Sequence, residues 1–185
     1  MSYKVLSLKW RPANFEEVVG QDHITKALSN AIKLNRLAHA FTFSGPRGVG
    51  KTTTARILAK KLNEVKDISQ SLDILEMDAA SNRGIDDIRT LRENINYAPV
   101  NGKYKIYIID EAHMLTKEAF NAFLKTLEEP PEYVVFIFAT TELHKMPETI
   151  ISRTQRYDFK RILSSDIIKQ LKHILDSEKI KYEEE

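Results

Sequence analysis

The sequence contains no cysteine. This absence excludes disulfide bonds, a thiol nucleophile and a zinc site built on thiolates. The five histidines are scattered without ligand spacing, so we expect no zinc and no metal held by protein side chains alone. Long apolar runs are also missing, and the first ten residues lack the apolar centre of a secretory signal. We therefore expect a cytoplasmic protein with no membrane partner.

A strong charge of either sign is absent as well. Lys and Arg total 28 against 26 for Asp and Glu, which gives a formal net charge of +2. Such a balance provides no overall electrostatic field that attracts nucleic acid. Any contact with nucleic acid must therefore come from the local placement of basic side chains. With 185 residues, of which 42% are hydrophobic, the chain can bury one sizeable core.

Short apolar runs alternate with helical patterns along the chain. Strands are predicted at 39–44, 72–77, 104–110, 133–140 and, from a weaker pattern, 155–160, and helices at 21–33, 51–62, 85–94 and 116–127. This alternation predicts an α/β fold with a parallel sheet flanked by helices. The run "VVFIFA" is apolar at every position, which predicts a central strand covered on both faces. A last helix is predicted from a Ser N-cap to about Leu175.

The segment "GPRGVGKT" lies between a predicted strand and a predicted helix and fits G-x-x-x-x-G-K-[ST]. Its glycines allow backbone amides to face phosphate oxygens at the amino end of the helix. Lys51 would reach the terminal phosphates, and Thr52 would place its hydroxyl on Mg²⁺. The alternative is a glycine-rich turn without a chemical role. The predicted nucleotide-binding residues are Gly45, Pro46, Arg47, Gly48, Val49, Gly50, Lys51, Thr52 and Thr53.

Two consecutive acids lie at the end of the predicted strand "KIYIID": Asp110 is its last residue and Glu111 comes next. Asp110 can hold magnesium through water, and Glu111 can orient and deprotonate an attacking water, which is the chemistry of hydrolysis. The alternative for Glu111 is a surface carboxylate at a strand end. A helix, a strand and a further helix fit between Lys51 and Asp110. The strand that ends at Asp110 is therefore not the first strand after the glycine-rich segment. No N-K-x-D segment for guanine exists, which argues against a GTPase.

The letters "DEAH" at 110–113 also occur in helicases, but such an enzyme needs a second nucleotide-facing domain for which this chain has no room. We interpret His113 as a packing or hydrogen-bonding residue. A small-molecule kinase would have an arginine-bearing lid and no catalytic acid after Asp110, so Glu111 argues against that class.

Five segments together carry a family resemblance. They are "LKWRPANFEEVVGQDHI", "GPRGVGKTTTARILAKKLN", "MDAASNRGIDDIR", "IYIIDEAHMLTKEAFNAFLKTLEEPP" and "FATTELHKMPETIISRTQRYDF". Over about residues 4–182 the chain resembles the gamma/tau clamp-loader ATPases of bacterial DNA polymerase III. The resemblance implies an AAA+ P-loop domain with a five-stranded parallel sheet at 1–162, followed at 163–185 by the start of a helical lid that we expect to continue further.

The same resemblance assigns further site residues. Thr141 matches the sensor 1 position beside the γ-phosphate, although it could instead cap the turn after its strand. Arg153 matches the arginine that reaches the ATP site of a neighbouring subunit. Val18 and Val19 match apolar contacts of the adenine base, with Arg11 nearby; the alternative for them is simple N-terminal packing.

A surface ion pair of Arg153 with Glu148 or Asp158 is the alternative to its role in a neighbouring site. The segment "DAASNRGIDDIR" matches the part of the family that leads to DNA. Its arginines Arg83, Arg89 and Arg92 could contact phosphates or could form a solvated, ion-paired helix face.

The chain departs from its family in two ways. The four zinc-binding cysteines expected after "AKKLN" are missing, and Thr154 replaces the cysteine of the Ser-Arg-Cys motif. The absent zinc knuckle indicates either engineering or a natural lineage without zinc. The lid arginine called sensor 2 and the collar domain are also missing, so we expect the chain alone to be monomeric, to bind ATP–Mg²⁺ weakly and to hydrolyse it slowly.

The resemblance implies a subunit that uses ATP to load the sliding clamp on primed DNA during replication. The implied partners are the delta, delta-prime and further gamma/tau subunits, the sliding clamp and primer-template DNA. The second hypothesis is a nucleotide-binding or subunit-docking scaffold with little turnover. Lys51, Asp110 and Glu111 favour the first hypothesis, and the incomplete lid favours the second.

Overall fold

The predicted strands form one parallel sheet in the computed structural model, which describes residues 5–81 and 93–183. The strands are β1 (Ala40–Ser44), β2 (Ile74–Asp78), β3 (Lys105–Asp110), β4 (Val134–Thr140) and β5 (Gln155–Asp158). Their order across the sheet is β2-β3-β4-β1-β5, and every neighbouring pair is parallel. The predicted fold class is thereby confirmed, and β4 is the central strand, as its unbroken apolar run indicates.

Helices α2 (Asp22–Lys33), α3 (Lys51–Asn63), α4 (Lys117–Glu128) and α5 (Glu148–Ile151) cover the two faces of this sheet. The described residues also form α1 (Leu6–Lys9) and α6 (Ser164–Ser177), which have no buried residues. The helix predicted at 85–94 lies largely outside the described residues. Among the residues that the structure describes, no helix is long and apolar enough to cross a bilayer.

The core has two layers because side chains alternate along each strand between the two faces of the sheet. One layer packs α2 and α3 against a face that includes Phe43, Ile108 and Ile137. The other packs α4 and α5 against the opposite face, which includes Tyr107 and Phe138. Burial on both faces explains why the central strands are almost continuously apolar.

The last helix differs from its prediction at both ends. Ser164 is the first helical residue rather than the N-cap; Leu163 is the N-cap and no side chain caps this terminus. The helix then continues to Ser177, two residues beyond the expected end. None of its residues is fully buried, so α6 lies against the sheet domain rather than within either core layer.

Thr154, where the resemblance implies a cysteine, has a polar partner inside the sheet. The Oγ1 atoms of Thr154 and Thr42 lie 2.7 Å apart in a hydrogen bond, and Thr42 on β1 is buried. A hydroxyl at position 154 therefore satisfies a polar group that the sheet encloses.

Asp73 fixes the loop that leads into β3. Its buried carboxylate accepts hydrogen bonds from the backbone amides of Val100, Asn101 and Gly102 at 2.6, 2.8 and 2.7 Å. Burial alone would raise the pKa of Asp73, but these amides and the charge of Lys105 hold that pKa below its ordinary value. The charged form of Asp73 is thus the one that stabilises the fold.

We expect Asp73→Ala to lower the free energy of unfolding by about 2 kcal/mol at pH 7, because three amides lose their acceptor. The folded pKa is depressed, so the stabilisation is complete above the ordinary aspartate pKa of about 3.9 and is lost as pH falls through the folded value. Urea unfolding at pH 7 and at progressively lower pH measures this, and the two proteins should converge in acid. Asp176→Asn, at an exposed site on α6, is the control for charge removal; an equal loss there would contradict the prediction.

Candidate active site

The glycine-rich segment forms the loop between β1 and α3. Gly45, Gly48 and Gly50 have φ values of +144°, +76° and +96°, which residues with a side chain rarely adopt. Gly50 is the N-cap of α3, which begins at Lys51. The loop therefore brings backbone amides to the amino end of a helix at the carboxyl edge of the sheet, a place that favours anions.

The Lys51 ammonium lies inside this loop. Its Nζ donates hydrogen bonds to the carbonyl oxygens of Gly45 and Pro46, at 2.9 and 2.6 Å, and the residue is buried. Burial lowers the pKa of Lys51, while the carboxylates of Glu111 and Asp110 act in the opposite direction. The site thus holds a cation whose partial desolvation strengthens its attraction to phosphate oxygens.

Thr52 and Asp110 meet although 58 residues separate them in the chain. Thr52 Oγ1, in the first turn of α3, donates to Asp110 Oδ2, at the end of β3, over 2.8 Å. A hydroxyl and a carboxylate are the hard oxygen ligands that Mg²⁺ prefers, and few protein ligands suffice when phosphates and waters complete the set. Among residues 5–81 and 93–183, no cluster of three or more acids or histidines could hold a metal ion.

Glu111 lies directly beyond β3 in a strained conformation. Its φ is +46°, in the left-handed region, which is uncommon for a residue with a side chain. Its Oε2 accepts a hydrogen bond from Thr141 Oγ1 at 3.0 Å, and His113 Nδ1 lies 3.5 Å from the same oxygen. Its Oε1 lies 3.9 Å from Nε of Arg47, an exposed residue of the phosphate loop. The carboxylate therefore lies between the loop and the end of β4.

The two threonines at the end of β4 have different partners. Thr140 Oγ1 accepts a hydrogen bond from the backbone amide of Glu142 at 3.1 Å and contacts His113 Nδ1 at 3.0 Å. Thr140 thus has the turn-capping role that the sequence offered as the alternative for Thr141. Thr141 instead donates its hydroxyl hydrogen to Glu111 at the carboxyl edge of the sheet.

An apolar cavity of about 270 Å³ adjoins the phosphate loop. Val18 and Val19 line it, together with Gly48, Val49 and Thr53, as the resemblance implies for a base pocket. Arg11 lies instead beside a neighbouring cavity, with Lys9 and His173. The wall opposite the loop was not predicted from the sequence; it consists of Ile162, Ile167, Gln170, Leu171 and Ile174 from α6 and the turn before it.

A contact between an N-terminal and a C-terminal segment lies beside this cavity, which Trp10 lines. Trp10 Nε1 donates to Glu178 Oε1 at 2.7 Å, and Lys9 Nζ lies 2.5 Å from the same oxygen. The Trp10 ring also meets the edge of the His173 ring, with centroids 5.6 Å apart. The hydrogen bonds from Lys9 and Trp10 hold the pKa of Glu178 below its ordinary value. Trp10 is the sole tryptophan of the chain, so its fluorescence reports on this cavity.

Arg153 does not lie near its own phosphate loop. It precedes β5 by two residues, at the amino edge of the sheet, whereas the loop lies at the carboxyl edge. Its guanidinium donates to Glu128 Oε1 and to the carbonyl of Thr149, both at 2.7 Å. The ion pair therefore forms with Glu128 of α4, and neither Glu148 nor Asp158 is its partner as the sequence suggested. The candidate DNA contacts Arg83, Arg89 and Arg92 lie outside the described residues.

The comparisons with known proteins agree with this geometry. A family model described as "DNA polymerase III, delta subunit" matches residues 20–163. The chain is 51% identical over 200 aligned positions to DNA polymerase III subunit tau of Bacillus subtilis, with 100% of this chain and 36% of the relative covered. It therefore spans about a third of that relative's length. The alignment is longer than the 185 residues of the chain, so the relative has internal residues that are missing here.

Solved structures share the fold. A DNA polymerase III gamma subunit-related protein from Thermotoga maritima has a TM-score of 0.64 and 27% identity, over 80% of this chain and 53% of that one. The RuvB Holliday junction branch migration motor of the same organism has a TM-score of 0.73 over 94% of this chain and 56% of that one, and its 20% identity supports the fold alone. The matching family model, the sequence identity and the five-stranded sheet together show that the chain belongs to the family of DNA polymerase III gamma and tau subunits.

Proposed function

We propose that the chain is the ATP-binding and ATP-hydrolysing part of a clamp-loader subunit, which uses ATP to load the sliding clamp on primed DNA. The observation that supports this most directly is the 2.8 Å hydrogen bond from Thr52 to Asp110. It joins the phosphate loop to the acidic strand end, as a site for a nucleotide with its magnesium requires. The adjoining apolar cavity suits the adenine base, with Val18 and Val19 as contacts.

Thr52 and Asp110 would hold Mg²⁺, whose charge offsets the charge that develops on the transferring phosphoryl group. Lys51 would bind the terminal phosphates once its ammonium exchanges two carbonyl partners for phosphate oxygens. Glu111 would take a proton from the attacking water, and Thr141 would contact the γ-phosphate. Each role uses a side chain that already lies at the carboxyl edge of the sheet.

Arg153 would complete the site of a neighbouring subunit. Its location at the amino edge supports action in trans, because the arginine cannot serve a site at the opposite edge of its own sheet. Its five donors could meet the phosphoryl oxygens if the pair with Glu128 opens. The proposed partners are the delta, delta-prime and other gamma/tau subunits, the clamp and primer-template DNA, which together imply work in the bacterial cytoplasm.

A scaffold with little turnover of its own is the second candidate. The location of Arg153 favours it for the chain in isolation, because a single copy then has an incomplete catalytic site. The two candidates differ in how turnover depends on assembly: a scaffold stays inactive at any concentration, whereas a clamp-loader ATPase gains activity when subunits meet.

Phosphate release measured against chain concentration, with and without primed DNA, tests the proposal. We expect the rate per chain to rise with concentration or DNA, and Lys51→Ala to abolish it because the terminal phosphates lose their cation. We also expect a mixture of Lys51→Ala and Arg153→Ala to regain turnover that neither variant has alone, since each supplies what the other lacks. A rate that neither concentration nor DNA changes would contradict the clamp-loader proposal for this chain.

A further inference from the structure

A polar residue interrupts the apolar face that α6 presents to the cavity beside the phosphate loop. Ile167, Leu171 and Ile174 line this cavity at the spacing of one helix face, and Gln170 lies among them on the same face. Gln170 is partly buried, so its amide loses some of its contact with water. A polar group in such a place is unfavourable unless it has a hydrogen-bonding partner.

Two other polar residues in the cavity wall have partners within the protein. Glu17 Oε2 accepts a hydrogen bond from the Ala13 amide at 2.8 Å, and its Oε1 accepts one from the Asn14 side chain at 2.7 Å. The indole of Trp10 donates to Glu178. These bonds account for both residues, so neither needs a ligand to satisfy its polar atoms.

Gln170 lacks a partner of this kind. Within residues 5–81 and 93–183, no hydrogen bond involves its side-chain amide. Thr53 also lines the cavity, but it follows Thr52 on α3, on the side of the phosphate loop, whereas Gln170 lies in the opposite wall. The wall opposite the loop thus has one amide whose donor and acceptor are both unused.

We propose that Gln170 recognises the base of the nucleotide: its carbonyl oxygen accepts from the N6 amino group of adenine, and its NH2 group donates to the adjoining ring nitrogen. The inference rests on the proposed function, because it requires the base to occupy this cavity. Adenine presents a donor beside an acceptor, and a glutamine amide pairs with that pattern through two hydrogen bonds. Apolar contacts with Val18 and Val19 discriminate little between purines, so a polar group must provide the specificity.

Removing one atom group from the ligand and one side chain from the protein tests this pairing. The ligands are ADP and purine riboside diphosphate, an ADP analogue with hydrogen in place of the N6 amino group, both with Mg²⁺. Calorimetry gives their dissociation constants for the unaltered chain and for Gln170→Met, which keeps the side-chain length but has no amide. We expect Gln170→Met to reduce the preference for ADP over the analogue by about three- to tenfold, because one net hydrogen bond is lost only with ADP.

Two further variants control for other effects of the substitution. Gln170→Glu keeps an oxygen that accepts from the amino group, so it should retain the preference even if its charge weakens both ligands alike. Gln70→Met makes the same chemical change at an exposed residue between α3 and β2. We expect Gln70→Met to leave both dissociation constants within about twofold of those of the unaltered chain.

An equal loss of affinity for ADP and the analogue in Gln170→Met would overturn the inference, because a residue that only shapes the wall acts on both ligands. Titration with 2′-deoxy-ADP detects a contact with the sugar instead: if Gln170→Met weakens ADP but not 2′-deoxy-ADP, the amide binds the ribose and the inference is wrong. If the unaltered chain binds ADP but Gln170→Met keeps the full preference, only this inference fails. If the unaltered chain binds neither nucleotide, the proposed function fails first, and the inference with it.

Discussion

Gly45→Ala should lower the melting temperature by about 10 °C and weaken nucleotide binding at least about tenfold. An added Cβ would lie 2.5 Å from the Phe159 carbonyl oxygen and 2.9 Å from the Phe159 Cβ, and the φ of +144° disfavours any side chain. Overpacking and backbone strain each cost about 1 to 3 kcal/mol, and in a chain of this size each kcal/mol corresponds to about 2 to 4 °C. Because Phe159 also donates to the Ser44 carbonyl, relief of the clash would disturb the pairing beside β1.

Gly48→Ala is the matched control for this substitution. Gly48 has a φ of +76°, but an added Cβ would meet no atom within 4 Å. Strain alone then remains, so we expect a decrease of about 2 to 4 °C in the melting temperature. Thermal unfolding and Trp10 fluorescence titrations compare the two variants. Equal melting temperatures would show that the contact with Phe159 does not add to the loss of stability in Gly45→Ala.

The second large effect concerns catalysis. Glu111→Gln should reduce phosphate release by about 100- to 1000-fold, because an amide cannot accept a proton from the attacking water. ATP binding should persist, since Lys51, Thr52 and Asp110 remain in place. The separation of turnover from affinity assigns the residue to the chemical step, because a variant that disturbed the fold would lose both. Single-turnover phosphate release and nucleotide titration provide the two measurements.

Glu142→Gln controls for the loss of a negative charge at the same edge of the sheet. Glu142 lies beside Thr141, but its carboxylate is partly exposed and pairs with Lys145. We expect the turnover of Glu142→Gln to stay within about twofold of the turnover of the unaltered chain. If Glu111→Gln also retained turnover, another base would have to activate the water, and the role proposed for Glu111 would be wrong.

Much of the fold was predictable because its signals are local. Four strands are short apolar runs and β5 shows a weaker pattern, and each predicted strand boundary lies within two residues of the observed one. The phosphate loop could be identified because positive φ values and a helix start require glycines at fixed spacing. Similarly, the site acids lie at the end of β3 and directly after it, and the site threonine follows β4. The carboxyl ends of these parallel strands meet at one edge of the sheet.

Contacts between distant segments were not predictable from the sequence. Nothing local indicates that Arg153 pairs with Glu128 rather than with nearer acids, because side-chain partners depend on how α4 and α5 pack. The same limit applies to the contact of Trp10 with Glu178, which joins the two ends of the chain. The start of α6 was misplaced for another reason: Ser164 suits an N-cap, but the helix begins after Leu163 without any side-chain cap.

The strand order leaves one link able to change length without moving the phosphate loop. The link from α3 to β2, residues 64–73, lies at the amino edge of the sheet, about 16 Å along a five-residue strand from the phosphate loop. An accessory module with closely spaced ends could be inserted into this link or deleted from it while the reacting groups keep their positions. Relatives with additional internal residues and this shorter chain can therefore share one chemistry, and the link is a suitable place to graft a label or a reporter domain.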